Sequence, residues 1–287
     1  MTPRILFVCS NKGGAGKTTF ARALLELLRC EGHEVAAYDA DGRVGQLYQH
    51  EGTRDAEGVL LARQNPLEGC ACFDIREEDE RDILLNALSA RPPILLFDLP
   101  GGVVGELGKV MDRGLVPNAL LSAYRKWGYA ITMVFVMTPI QASIRTVRQS
   151  IENFGDRVDY VAVKNLAFGA ESSFVLFDGC DQEGLQLPVS ESKRALQRQG
   201  GALITMPALD ARSYALLDVY SVKYTEAATG KGRAGRIPIA DRERIFAWIQ
   251  DFDRQIAPAR PFLGFLPEEI EVETDSEAQR AHVLAAH

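Results

Sequence analysis

No apolar run in this chain reaches membrane-spanning length. The longest, Tyr129 to Met137, is about half of a bilayer span. Positive charge is not in excess either. The net charge of −7 excludes a generally basic nucleic-acid binder, though not a local basic patch. Cysteine is too sparse for a disulfide framework: Cys9, Cys30, Cys70, Cys72 and Cys180 are odd in number and scattered, which suits a reducing compartment. The four histidines, His33, His50, His282 and His287, show no metal-ligand spacing. There is no internal repeat. The first apolar segment, Ile5 to Cys9, is too short for the core of a secretory leader and runs directly into glycines, so the expectation is a cytoplasmic protein.

What remains is ordinary globular composition, 46% apolar and 25% charged, over 287 residues, enough for one large domain or two small ones. The acidity is uneven. Residues 267–287 carry six acids and the single base Arg280, while the rest of the chain is close to neutral. Pro258 and Pro261 close the patterned body, so the expected organisation is one domain over 1–257 and an acidic tail over 258–287.

Along the body, short runs of β-formers alternate with helical periodicity. Strands are predicted at Arg4 to Cys9, Glu34 to Tyr38, Ile94 to Phe97, Ala130 to Met137, Val158 to Val163 and Ala202 to Thr205. Helices are predicted over 18–30, 77–90, 103–127, 140–154, 190–199, 209–220 and 241–257, with a short one near 43–50. Segments 42–76 and 166–189 give no clear pattern. The strands are continuous Val/Ile/Leu/Phe runs, as in strands covered on both faces. The fold class is therefore α/β, a doubly wound and mostly parallel sheet whose ligand sits beyond the carboxyl ends of the strands.

The segment Asn11-Lys12-Gly13-Gly14-Ala15-Gly16-Lys17-Thr18-Thr19 joins the first strand to the first helix. It misses the strict G-x-x-x-x-G-K-[ST] pattern only where Asn11 stands in place of glycine. Gly13, Gly14 and Gly16 permit a tight nest of backbone N–H groups, and the helix N-terminus adds partial positive charge. Lys17 can reach the β- and γ-phosphates of a nucleotide, and Thr18 offers a hydroxyl to Mg²⁺.

Lys-Gly-Gly-x-Gly-Lys-Thr at 12–18 resembles the deviant Walker A motif of the ParA/MinD ATPases. The resemblance is strong at the motifs and weak between them, over most of residues 4–257. It implies a P-loop NTPase fold that binds ATP and Mg²⁺ through Lys12, Gly13, Gly14, Ala15, Gly16, Lys17, Thr18 and Thr19. It further implies an ATP-sandwich homodimer in which Lys12 crosses to the partner's phosphates and joins the catalysis. Asp39 and Asp41 match the family's Asp-x-Asp. Asp41 would orient the attacking water, and Asp39 would stand near Lys17 or the metal waters. The family continues with Pro-Gln where this chain has Gly42-Arg43. Asp98, ending an apolar strand, resembles the Walker B acid on Mg²⁺, and Gly101-Gly102 the mobile loop behind it. Asn165 and Pro207 would contact the adenine.

By the same resemblance the chain would hydrolyse ATP slowly, stimulated by a ParB-like or other adaptor, as a switch in plasmid or chromosome partition or in cargo positioning. The basic stretch Lys223, Lys231, Arg233, Arg236, Arg242 and Arg244 could bind DNA without sequence preference or simply form a solvated face. The acidic end does not suit a membrane-anchoring helix. The alternative is a regulatory subunit of a larger machine, such as conjugative transfer or polysaccharide secretion. Cys70-Ala71-Cys72 is read as structural, and Trp127 and Trp248 as core.

Overall fold

The computed structural model describes residues 2–103 and 119–266. Seven strands form one parallel sheet in the order β3-β2-β4-β1-β5-β6-β9. They are β1 Arg4–Cys9, β2 Val35–Asp39, β3 Ala71–Cys72, β4 Ile94–Asp98, β5 Ala130–Met137, β6 Asp159–Asn165 and β9 Ala202–Met206; β7 Cys180–Gln182 and β8 Leu185–Leu187 form a separate hairpin. This is the predicted doubly wound α/β fold.

The alternation of side chains along each strand divides the core in two. On β1, Leu6 and Val8 join the cluster holding Phe20, Leu24 and Leu28 of α1 (Lys17–Cys30), with Trp248, Ile249 and Phe252 of the helix Ile239–Ile256. Ile5, Phe7 and Cys9 join the opposite cluster, with Tyr124 of the helix Ala119–Lys126 and Phe154 of the helix Gln141–Phe154. Both faces of the central strands are thus buried, which is why they read as unbroken apolar runs.

The strand order reverses at β1, with β4 on one side and β5 on the other. A crevice opens at such a point beyond the strand ends. Registration is tight there: Asp39 of β2 and Val8 of β1 both stand level with Asp98 of β4.

Three expectations change. The helix expected over 77–90 is broken into a 3-10 turn at Glu78–Glu80, one α-turn at Ile83–Asn86 and a second 3-10 turn at Ala87–Ala90. The Glu80 carboxylate takes the Asp74 amide at 2.5 Å, tying the first turn to the loop before it. Trp127 is not core. It is 47% exposed, with the Arg91 guanidinium over its ring at 5.4 Å. Residues 258–266 pack on the body, with Leu263 and Phe265 buried and Arg260 bonded to Glu31. Of the helix predicted at 103–127, Ala119–Lys126 is helical and residues 104–118 lie outside the described residues; so does the acidic segment from 267 onward.

Candidate functional site

The loop after β1 is built to leave its amides free. Ser10 Oγ donates to the Lys12 carbonyl at 2.7 Å, closing the first turn. Gly14 and Gly16 take left-handed φ values of 75° and 91°. At Gly16 the requirement is double, because a Cβ would also lie 2.3 Å from Asn165 Nδ2. Gly16 caps α1 without any side-chain hydrogen bond, so no side chain competes for the first-turn amides.

The loop after β4 lies against this one. The Leu99 amide donates to the Val8 carbonyl and the Gly102 amide to the Ser10 carbonyl, at 3.0 and 3.2 Å. A Cβ on Gly101 would stand 2.6 Å from the Gly13 nitrogen, so only glycine allows this approach.

Together these loops and the one after β2 surround a cavity of about 550 Å³. Gly13, Gly14, Gly16, Lys17, Thr18, Thr19, Asp39, Asp41, Asp98, Asn165 and Pro207 all line it. Of the predicted site residues, Lys12 and Ala15 do not. They border a smaller neighbouring pocket with Thr138, Ile140 and Phe168. Lys12 is exposed, whereas Ala15 is buried.

Lys17 is buried, and among the described residues its ammonium makes no hydrogen bond or ion pair. Thr18 Oγ1 donates to Asp98 Oδ2 at 2.5 Å. Asp98 Oδ1 is buried with no partner. Burial and then the neighbouring charge of Asp39 push the Asp98 carboxyl up to about 8, against the pull of the Thr18 hydroxyl and Lys17. Asp39 is raised to about 6, again mainly by burial, although the amides of Tyr48 and Asp41 bond its two oxygens at 3.0 Å and oppose the shift.

An orphaned buried carboxylate oxygen beside a threonine hydroxyl suits a hard divalent cation. Among the described residues no group of three or more His, Cys, Asp or Glu forms a protein-only cage. Mg²⁺ needs none, because it takes one or two protein oxygens and completes its shell with phosphate and water.

Asn165 is tied into the loop: its Nδ2 donates to the Ala15 carbonyl at 2.8 Å and its Oδ1 accepts from the Ala167 amide at 3.0 Å. One amide hydrogen and one lone pair remain for a ligand. Asp41 is half-exposed and bonded to Arg76 at 2.7 Å.

The cavity also has walls with no sequence signal. Phe168, Tyr214, Leu209 and Met206 line it. Trp248, expected as core, is buried there too and anchors the covering loop by donating from Nε1 to the Pro207 carbonyl at 2.8 Å. Met206, Leu209 and Tyr214 flank Pro207 in sequence, whereas Phe168 and Trp248 come from distant segments that no local spacing could have grouped with them.

A family model described as the CobQ/CobB/MinD/ParA nucleotide binding domain matches residues 6–284. No curated protein matches the chain. Among solved structures it is similar to a ParA family ATPase from Chlorobium tepidum TLS, with 13% identity, 86% of this chain and 99% of that one covered, and a TM-score of 0.47. It is also similar to the MinC:MinD cell division protein complex of Aquifex aeolicus, at 16% identity, with 85% and 96% covered and a TM-score of 0.46. A third is a Cyanothece McdA–ATP complex, at 12% identity, with 95% and 99% covered and a TM-score of 0.40.

Proposed function

Because this chain belongs to the CobQ/CobB/MinD/ParA nucleotide-binding domain family, we propose that it is a Mg²⁺-dependent ATPase of ParA type, a nucleotide-timed dimer that positions a plasmid, chromosome or other cargo. The observation that carries this reading is the meeting of three loops, holding Lys17-Thr18, Asp39-Asp41 and Asp98, around one cavity at the reversal of strand order.

The loop amides and the Lys17 ammonium bind the β- and γ-phosphates. Thr18 and Asp98 would hold Mg²⁺, with Asp39 behind them. Bound there, the ion neutralises charge developing on the transferred phosphoryl group. Asp41 orients the attacking water. Phe168, Tyr214 and Pro207 border the space for the base, whose edge meets the free hydrogen and lone pair of Asn165. Lys12, exposed and outside the lining of its own cavity, serves the phosphates of a second copy. Hydrolysis then depends on pairing, as with arginine fingers, which contribute about 10³–10⁵ in rate.

An adaptor of ParB-like or other kind would stimulate turnover. Lys231, Arg236 and Arg244 are exposed on the late basic segment, which supports DNA phosphate as a further partner, bound more weakly as salt rises. No described helix is long and apolar enough to cross a membrane.

Light scattering coupled to size exclusion tests the proposal. With ATP and Mg²⁺ the native chain should run as a dimer and with ADP as a monomer. Asp41→Ala should accumulate as the ATP dimer. Lys12→Ala should bind ATP as a monomer and lose about 10³ in turnover. Native turnover by Lys12→Ala would refute the cross-dimer role.

A further inference from the structure

We propose that Arg76 is a positioning residue for Asp41, holding one carboxylate oxygen from outside the cavity and leaving the other for the attacking water. The inference rests on the reading of Asp41 given above and adds to it the residue that sets its geometry.

Asp41 follows β2 by two residues, where a strand end would ordinarily be loose. It is instead bridged to Asp74 as an isolated antiparallel pair. The Gly42 amide donates to the Phe73 carbonyl and the Ile75 amide to the Ala40 carbonyl, at 3.0 and 3.1 Å. Arg76 is the next residue, and its backbone is pinned in turn. Its own amide donates to Asp74 Oδ1 at 2.9 Å, and Arg81 donates to the carbonyls of Ile75 and Arg76 at 2.8 Å each. From this frame Arg76 Nη1 reaches Asp41 Oδ1 at 2.7 Å, with Asp74 Oδ1 at 3.5 Å.

Both side chains are about half-exposed, 53% for Arg76 and 43% for Asp41, so the pair adds little to global stability. Its effect is geometric. A free aspartate samples several χ1 wells and a broad χ2, whereas orienting a water requires one placement. The guanidinium takes lone pairs on Oδ1, and Oδ2 has no partner among the described residues. Asp41 lines the cavity and Arg76 does not, so Arg76 acts through the carboxylate and has no contact of its own with the cavity.

The test compares Arg76→Ala, Arg76→Lys, Asp41→Ala and the double variant Arg76→Ala/Asp41→Ala. Steady-state ATP hydrolysis is measured together with backbone hydrogen exchange of the nucleotide-free protein. Arg76→Ala should lower kcat about tenfold with KM for ATP within about twofold. Arg76→Lys should recover most of the loss, and the double variant should be no slower than Asp41→Ala. Without nucleotide, the Gly42 and Ile75 amides should exchange several-fold faster in Arg76→Ala. Native or raised kcat in Arg76→Ala, losses that multiply in the double variant, or unaltered exchange at both amides would overturn the inference. If Asp41→Ala itself hydrolyses ATP at the native rate, the parent reading fails instead.

Discussion

Asp98 keeps its proton far above the range of an ordinary carboxyl, and this has a consequence for stability. The folded chain releases that proton near pH 8, whereas an exposed aspartate releases it near 3.8. Between these values the native state binds more protons than the unfolded state, so stability falls as pH rises. Asp39, raised to about 6, adds to the same slope over a narrower window. Urea unfolding of the nucleotide-free protein should therefore show native stability declining relative to Asp98→Asn between about pH 3.8 and 8, with the gap closing below that window. A constant offset across the window would mean that Asp98 is not protonated in the fold. The carboxylates themselves were legible in the sequence, because each ends an apolar strand. Their shared proton affinity was not, because it depends on two strands lying side by side in register.

At the scale of elements, the phosphate loop is held from two sides, by the Asn165 bond to the Ala15 carbonyl and by Gly101 against Gly13. The loop after β4 can make that approach only without a side chain. Gly101→Ala should leave the fold intact, since the residue sits in a surface loop, but displace Gly13 and lower ATP affinity about tenfold or more in calorimetry. Unchanged affinity would show that the two loops move independently.

Six of the seven strands of the sheet and most of the main helices were readable from apolar runs and 3.6-residue periodicity, because burial on one or two faces writes itself directly into the sequence, whereas the two-residue edge strand β3 lies in a segment that shows no such pattern. The stretch 77–90 misled for a physical reason. Its periodicity, with Ile83, Leu84, Ala87 and Leu88, is compatible with short 3-10 and α turns that bury Leu84 and Leu88 just as well. Trp127 misled because a large aromatic can be satisfied at the surface by a cation, here Arg91.

At the scale of the whole molecule, the sheet divides two apolar layers, and Phe97 lies at the centre of one of them. Its ring stacks on Phe7 at 5.3 Å and on Tyr38 at 5.2 Å, with Phe73 edge-on at 6.3 Å. Phe97 also stands one residue before Asp98, so the same strand that fills the core carries the acid to the cavity. Phe97→Ala should cost about 3–5 kcal/mol in urea unfolding, the range for emptying a fully buried aromatic site. A loss below about 1 kcal/mol would show that the layer collapses around the gap.

Residue order alone was enough for the α/β alternation, the glycine loop with Lys17 and Thr18, and the aspartates at the strand ends, since each of these depends on neighbours a few positions apart. Strand order decided the rest. It set Asp39 beside Asp98, brought Phe168, Tyr214 and Trp248 to one wall, and delivered Arg76 from a patternless segment to Asp41. Contacts of that kind join positions far apart along the chain, and no local period in a sequence can encode a neighbour that only the folded sheet supplies.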